Sequence, residues 1–282
     1  MQPANFKEIA LQYRTIFFDA FGVLKNHQGI LPGIRHTLSF LEKNGINYYI
    51  LTNDSSRGPQ ALADGYQQFG IRNITDEKII SSGMLARNWL HLKIKDGLVA
   101  YLGTPESAHY IEEAGLETIP VSKVDPGHAS QIKCMVFLDE EGFDWPTDLN
   151  KTINLLRRNN MPVIVANTDM NYPVSQTDIA VGIGGLADMI EKIIGKRFIR
   201  FGKPDAQMFM FAYEKARIGT SLQRDEILMV GDTLYTDIIG GNKFGLDTVL
   251  VLSGNTLPDM AQIRISGSGI IPTHICPSVL ID

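Results

Sequence analysis

Short apolar runs alternate with helix-like stretches from one end of the chain to the other, and no other feature restricts the fold as strongly. TIFFDAFG reads as a buried strand over residues 15–18 that runs into a glycine-containing turn. Pro32 and Gly33 then open a helix with Ile34, Leu38 and Leu41 on one face, and Gly45 ends it. NYYILTND repeats the pattern as a strand, and SRGPQALADGYQQFG supplies the next helix, stopped by Gly70. Further strands are expected at 98–102, 132–138, 163–166, 197–201, 227–231 and 248–252, with helices between most of them. Strands this apolar, joined by crossovers, predict an α/β fold on a parallel sheet covered on both faces, not an antiparallel sandwich.

The chain has 282 residues, enough for two domains of ordinary size. Polar breaks at 125–127, 139–144 and 167–173 set the middle apart. They predict an inserted α/β segment over 82–186, with the core built from 1–81 and 187–282. Thirty-one acidic against 26 basic side chains give a net charge of -5, which disfavours nucleic acid and anionic membranes as partners. No apolar run is long enough for a spanning helix and no secretory leader is evident, so the expected location is cytoplasmic. The two cysteines, Cys134 and Cys276, are too few for a disulfide framework or a four-cysteine zinc site.

Four segments fall where parallel strands end, the edge at which open α/β sheets bind ligands. They are FFDAFGVL with Asp19, ILTND with Thr52 and Asn53, RFGKPD with Lys203, and MVGDTLYTD with Asp232 and Asp237. Singly, each has a plain structural explanation: a helix N-cap for Asp19 or Asp232, a strand-end hydroxyl for Thr52, a solvated turn for Lys203. Together they form a hard-oxygen site suited to Mg²⁺, with a lysine and a Thr/Asn pair able to hold phosphate oxygens.

Asp19 in DAFGVL, Thr52-Asn53, Gly202-Lys203-Pro204 and Gly231-Asp232-Thr233 through Asp237 resemble the four ordered motifs of the haloacid-dehalogenase-like hydrolases. The middle segment, with EGFDW, VIVANTDMNYP and GIGGLADMIEKIIGKRFIRFGKP, is similar to the subclass IIA phosphatases, which carry an α/β cap between the second and third motifs. The resemblance implies a Rossmann-like core, a substrate-selecting cap, a small phosphorylated metabolite as substrate, and a homodimer formed through the cap. It implies further that Asp19 attacks phosphorus to give an aspartyl phosphate, that Thr52 and Lys203 hold the transferring group, and that Asn53 supports it. Asp19, the backbone carbonyl of Phe21 and Asp232 would ligate Mg²⁺, with Asp237 ligating it or orienting a water in its shell.

Phosphatases of this family carry a second aspartate two residues after the nucleophile, as acid toward the leaving alcohol and base toward water. Here that residue is Phe21. Positioned acid–base groups are worth about 10² to 10⁴ in rate, so poor leaving groups should suffer most and aryl or acyl phosphates least. Asp54 and His27 are candidates to take over the role. The aromatic also resembles the first motif of the metal-independent 2-haloacid dehalogenases, whose aspartate attacks carbon. A non-catalytic protein that only binds a phosphorylated ligand is a third reading. Gly182, Gly184 and Ala187 match a relaxed dinucleotide fingerprint with Asp205 downstream, but tight helix packing explains them better.

Overall fold

The structure, a computed structural model, describes residues 4–125, 127, 129–175 and 178–281. Pro126, in the first of the expected polar breaks, lies outside them. The chain divides into two compact units. The first comprises the residues up to Thr52, Pro59–Ile80 and those from Lys203 onward; the second comprises Asn53–Gly58 and Ser81–Gly202.

The first unit is built on a six-stranded sheet in the order His274–Cys276, Asp247–Val251, Ile227–Gly231, Thr15–Phe18, Asn47–Thr52, Ile79–Ser81. The pairings among the first five strands are parallel. Thr15–Phe18 is central and buried at every position, which is why its sequence is a continuous apolar run rather than an alternation. The helix Ile34–Lys43 buries Ile34, Leu38 and Leu41, and Gly45, at φ 71, turns the chain away after it. The helix Ala206–Ala216 is capped by Asp205, whose carboxylate accepts from the backbone N–H of Gln207 at 2.8 Å, so this aspartate has a structural task.

The second unit has a five-stranded parallel sheet in the order Ile199–Arg200, Val163–Val165, Ile132–Phe137, Leu98–Leu102, Glu117–Pro120. Its core joins Phe137 and Val165 to Leu149 and Leu156 of the helix Trp145–Arg158 and to Leu186 and Ile190 of the helix Ile183–Ile194. A short antiparallel pair, Asn171–Pro173 with Ile179–Val181, precedes that last helix. The expected boundary at 186 therefore needs correcting: it falls inside a helix. Residues up to Gly202 group with the second unit because Ile190 and Phe198 pack in its core and Ile199–Arg200 pairs with Val163–Val165.

Gly182 and Gly184 are accounted for by packing. A Cβ on Gly182 would lie 2.5 Å from the carbonyl oxygen of Asp169, and one on Gly184 would lie 2.6 Å from the carbonyl carbon of Thr168. The helix N-terminus can approach that loop only with glycine at both positions, so the fingerprint-like spacing reflects backbone contact. Among the described residues, no helix is long and apolar enough to cross a membrane.

Candidate active site

The site is assembled by strand register. Phe18 pairs with Val230 on one side and Ile50 on the other, all three strands running the same way. The residues just beyond these partners, Asp19, Thr52 and Asp232, therefore leave the sheet at one edge. Asp19 continues the ladder for one step, its N–H donating to the carbonyl of Val230 at 2.8 Å. A tight loop follows. The N–H groups of Leu24 and Lys25 donate to the carbonyl of Ala20, and Gly22, at φ 79, donates to the carbonyl of Lys25.

Within the first unit, one carboxylate oxygen from each of Asp19, Asp232 and Asp237 lies within 4.8 Å of the others. Lys203 is buried among them. Its Nζ donates to Asp19 Oδ1 at 2.7 Å and lies 2.7 Å from Asp237 Oδ1. Asp237 is fully buried, Asp232 is 1% exposed and Asp19 retains 15% side-chain exposure, so Asp19 is the carboxylate most open to a reactant. Asp232 Oδ2 accepts from the Asn255 N–H at 2.6 Å and its Oδ1 accepts from the Thr233 hydroxyl at 2.9 Å. Asp237 Oδ2 accepts from the Thr233 N–H at 3.1 Å.

One ammonium faces three carboxylates. Burial pushes the Asp232 carboxyl well above the usual range, and the charges of Asp19 and Asp237 push it further. Burial raises Asp237 too, partly offset by Lys203. A hard divalent cation would correct this imbalance, and the donor set is all oxygen, without histidine or cysteine, which suits Mg²⁺ rather than a softer metal. The residues present thus fit such an ion. Their backbone surroundings fit as well: a Cβ on Gly22 or on Gly254 would overlap the Asp232 carboxylate, and one on Gly231 would overlap Asp237.

The structure thus brings Asp19, Lys203, Asp232 and Asp237 together. Thr52 is 6% exposed at the same sheet edge. Asn53 belongs to the second unit, where its Nδ2 donates to Thr168 Oγ1 at 3.1 Å and to Asp169 Oδ1 at 2.9 Å. The Thr52-Asn53 pair is thus split between the two units. Phe21 is partly exposed in the loop after Asp19. Of the two substitutes considered for a proton donor, His27 is exposed in the first unit. Asp54 sits in the second, its Oδ1 accepting from the N–H and the hydroxyl of Ser56 at 3.0 and 2.6 Å.

Sequence reading placed Thr233 in the fourth motif without giving it a role, and missed the segment Ser253–Thr256, which follows the strand Asp247–Val251. Besides the Asn255 contact, Ser253 Oγ donates to the carbonyl of Gly22 at 2.7 Å and Thr256 Oγ1 donates to the carbonyl of Asp232 at 2.6 Å. The cluster SGNT was a visible turn signal at the end of a strand and lay at the binding edge.

Family models described as haloacid dehalogenase-like hydrolase and HAD-hydrolase-like match residues 16–117 and 200–280. A solved structure from Cytophaga hutchinsonii, titled a "possible sugar phosphatase" of the HAD superfamily, is 55% identical. The match covers 100% of this chain and 99% of that one, with a TM-score of 0.96. Mouse Chronophin is 27% identical over 99% of this chain and 95% of the relative. The ribonucleotide monophosphatase NagD of Escherichia coli K12 is 27% identical over 92% and 96%. With the ordered motifs converging on one sheet edge and near-complete overlap with these relatives, the chain belongs to the haloacid-dehalogenase-like hydrolase superfamily, in its subclass IIA.

Proposed function

We propose that this chain is a phosphoric monoester hydrolase that cleaves a small organic phosphate, of the sugar or aryl phosphate class, through an aspartyl phosphate on Asp19. The observation that carries the reading is the convergence of Asp19 with Lys203, Asp232 and Asp237. The names of the relatives agree with it. The second unit is proposed to select the substrate.

An oxygen of the Asp19 carboxylate attacks phosphorus, and the bond from phosphorus to the leaving oxygen breaks, that oxygen keeping the electron pair. Water then attacks phosphorus, the Asp19 carboxylate departs, and orthophosphate is released with the proton balance met by solvent. Lys203 holds the Asp19 carboxylate in place and offers its charge to a phosphoryl oxygen. Asp19, Asp232, Asp237 and the Phe21 carbonyl are the groups proposed to hold Mg²⁺. When bound, Mg²⁺ supplies the positive charge that lets a carboxylate approach a phosphate. Two unit charges 4 Å apart repel by about 4 kcal/mol at an effective dielectric near 20.

A screen over sugar, nucleotide, aryl and acyl phosphates, with and without Mg²⁺, tests the reading. Magnesium-dependent release of phosphate from at least one class is expected; inactivity across all of them would contradict it.

Phe21 puts no carboxyl two residues past the nucleophile, so the leaving oxygen departs with little help, and good leaving groups are favoured. Phe21→Asp should raise kcat/KM for an alkyl sugar phosphate on the order of 10²-fold and change that for an aryl phosphate far less. No gain on the alkyl substrate would count against this account. Phe21 also favours the dehalogenase alternative, since attack on carbon needs no acid. The retained Asp232 and Asp237 oppose it, because paired buried carboxylates have little use without a cation.

The shifted carboxyls also predict a linkage. A carboxyl raised in the folded state stabilises the fold below the unfolded value, near 4, and that contribution is lost as pH rises through the folded value. The cation-free protein should therefore lose stability between about pH 4 and about pH 8 as Asp237 and Asp232 are forced to ionise. Mg²⁺ at ten times its dissociation constant adds about 1.4 kcal/mol, or roughly 2–4 °C in Tm. Thermal melts at one fixed MgCl₂ concentration should show the Mg²⁺ increment growing from pH 5.5 to pH 8, as ionised carboxylates tighten binding; an increment that shrinks as pH rises would contradict the linkage.

A further inference from the structure

We infer that Thr233 and Asn255 are positioning residues that set how tightly the carboxylate cluster holds its cation; this rests on the reading of that cluster as a cation site. The argument is one of hydrogen-bond direction. Asn255 Nδ2 can only donate, and it lies 3.1 Å from Thr233 Oγ1. The Thr233 oxygen therefore accepts there, which leaves its own hydrogen for Asp232 Oδ1 at 2.9 Å. The Asn255 N–H donates to the other oxygen of the same carboxylate at 2.6 Å. Both oxygens of Asp232 are thus held, one by the Asn255 N–H and the other by the Thr233 hydroxyl, whose polarity the Asn255 side chain fixes.

The surroundings allow little else. The backbone of Gly22 and Gly254 lies so close to the Asp232 carboxylate that neither position has room for a Cβ. Thr256, itself buried, ties the Asp232 carbonyl, and Ser253 ties the carbonyl of Gly22 in the loop after Asp19. The carbonyl of Asn255 is anchored in turn by Arg264 Nη1 at 2.9 Å. Four consecutive residues therefore brace two of the loops that carry the site. A carboxylate already oriented loses little freedom when a cation arrives, and groups that orient metal ligands typically matter by 10- to 100-fold in affinity.

The test follows the thermal midpoint of the substrate-free protein against MgCl₂ concentration and reads the half-saturating concentration. Thr233→Val and Asn255→Ala should each raise it about tenfold or more. Thr233→Ser, which keeps the hydroxyl, should restore the wild-type value. The double variant Thr233→Val with Asn255→Ala should be no worse than Thr233→Val alone, because the Asn255 side chain acts through that hydroxyl. If Thr233→Val does not fold, Asn255→Ala against wild type carries the same comparison. A wild-type response with unchanged half-saturation in these variants, or effects that multiply in the double variant, overturns the inference alone. No response to Mg²⁺ in the wild type overturns it together with the reading of the cluster as a cation site.

Discussion

Replacing Asp19 by asparagine is expected to abolish phosphatase activity, by about 10⁴-fold or more in kcat, while leaving the protein folded. The amide has nearly the shape of the carboxylate but no charge and negligible nucleophilicity, and losing the attacking group removes the covalent route altogether. Stability should hold or rise. Asp19 shares the Lys203 ammonium with Asp237 in a cluster of three carboxylates, and Lys203 keeps Asp237 as a partner after the substitution. Removing a like charge from such a cluster relieves repulsion, the familiar trade between stability and activity at a strained site. Assay of p-nitrophenyl phosphate hydrolysis beside a thermal melt checks both halves. Retained turnover would remove Asp19 from the chemistry, and a collapsed melt would make its role structural.

Chelation gives the second large effect. Without a cation, Asp19 must approach a phosphate dianion with only Lys203 to offset the charge. Each uncompensated pair near 4 Å costs about 4 kcal/mol, or roughly 10³ in rate. EDTA should therefore reduce hydrolysis by at least about 10³-fold, and added Mg²⁺ should restore it. A dehalogenase attacking carbon would be indifferent to the chelator, so halide release that persists in EDTA, with no phosphatase activity under any condition, would favour that alternative.

Much of this arrangement was legible in the amino-acid order because parallel strands place consecutive motifs at one edge. Once Thr15–Phe18, Asn47–Thr52 and Ile227–Gly231 are recognised as buried strands, Asp19, Thr52 and Asp232 share an edge by topology alone. Lys203 was found by its motif. Its burial between two carboxylates was not legible, since a lysine before a proline is more often solvated.

Other features depend on contacts far apart in sequence. Ile79–Ser81, Glu117–Pro120 and His274–Cys276 are short strands that lack the run of three apolar residues found in Thr15–Phe18 and Val163–Val165, so no apolar run marks them. The boundary after Gly202 is set by the packing of Ile190 and Phe198, and nothing in local composition announces it. Asn53 adjoins Thr52 in sequence yet spends its amide on Thr168 and Asp169, over a hundred residues away. Asn255 and Thr233 are ordinary turn residues until the fold sets them against Asp232. Phe21 is the converse case: its chemical consequence is plain from the sequence, since a missing carboxyl is visible without coordinates.

The most direct measurement is a chemical trap of the first step. Rapid mixing of the enzyme with substrate and Mg²⁺, quenching, and reduction with borohydride converts an acyl phosphate to an alcohol, which peptide mass spectrometry can locate. Homoserine at position 19, dependent on both substrate and Mg²⁺, is the predicted result. Steady turnover with an unmodified Asp19, or a reduced residue elsewhere in the chain, would contradict the account.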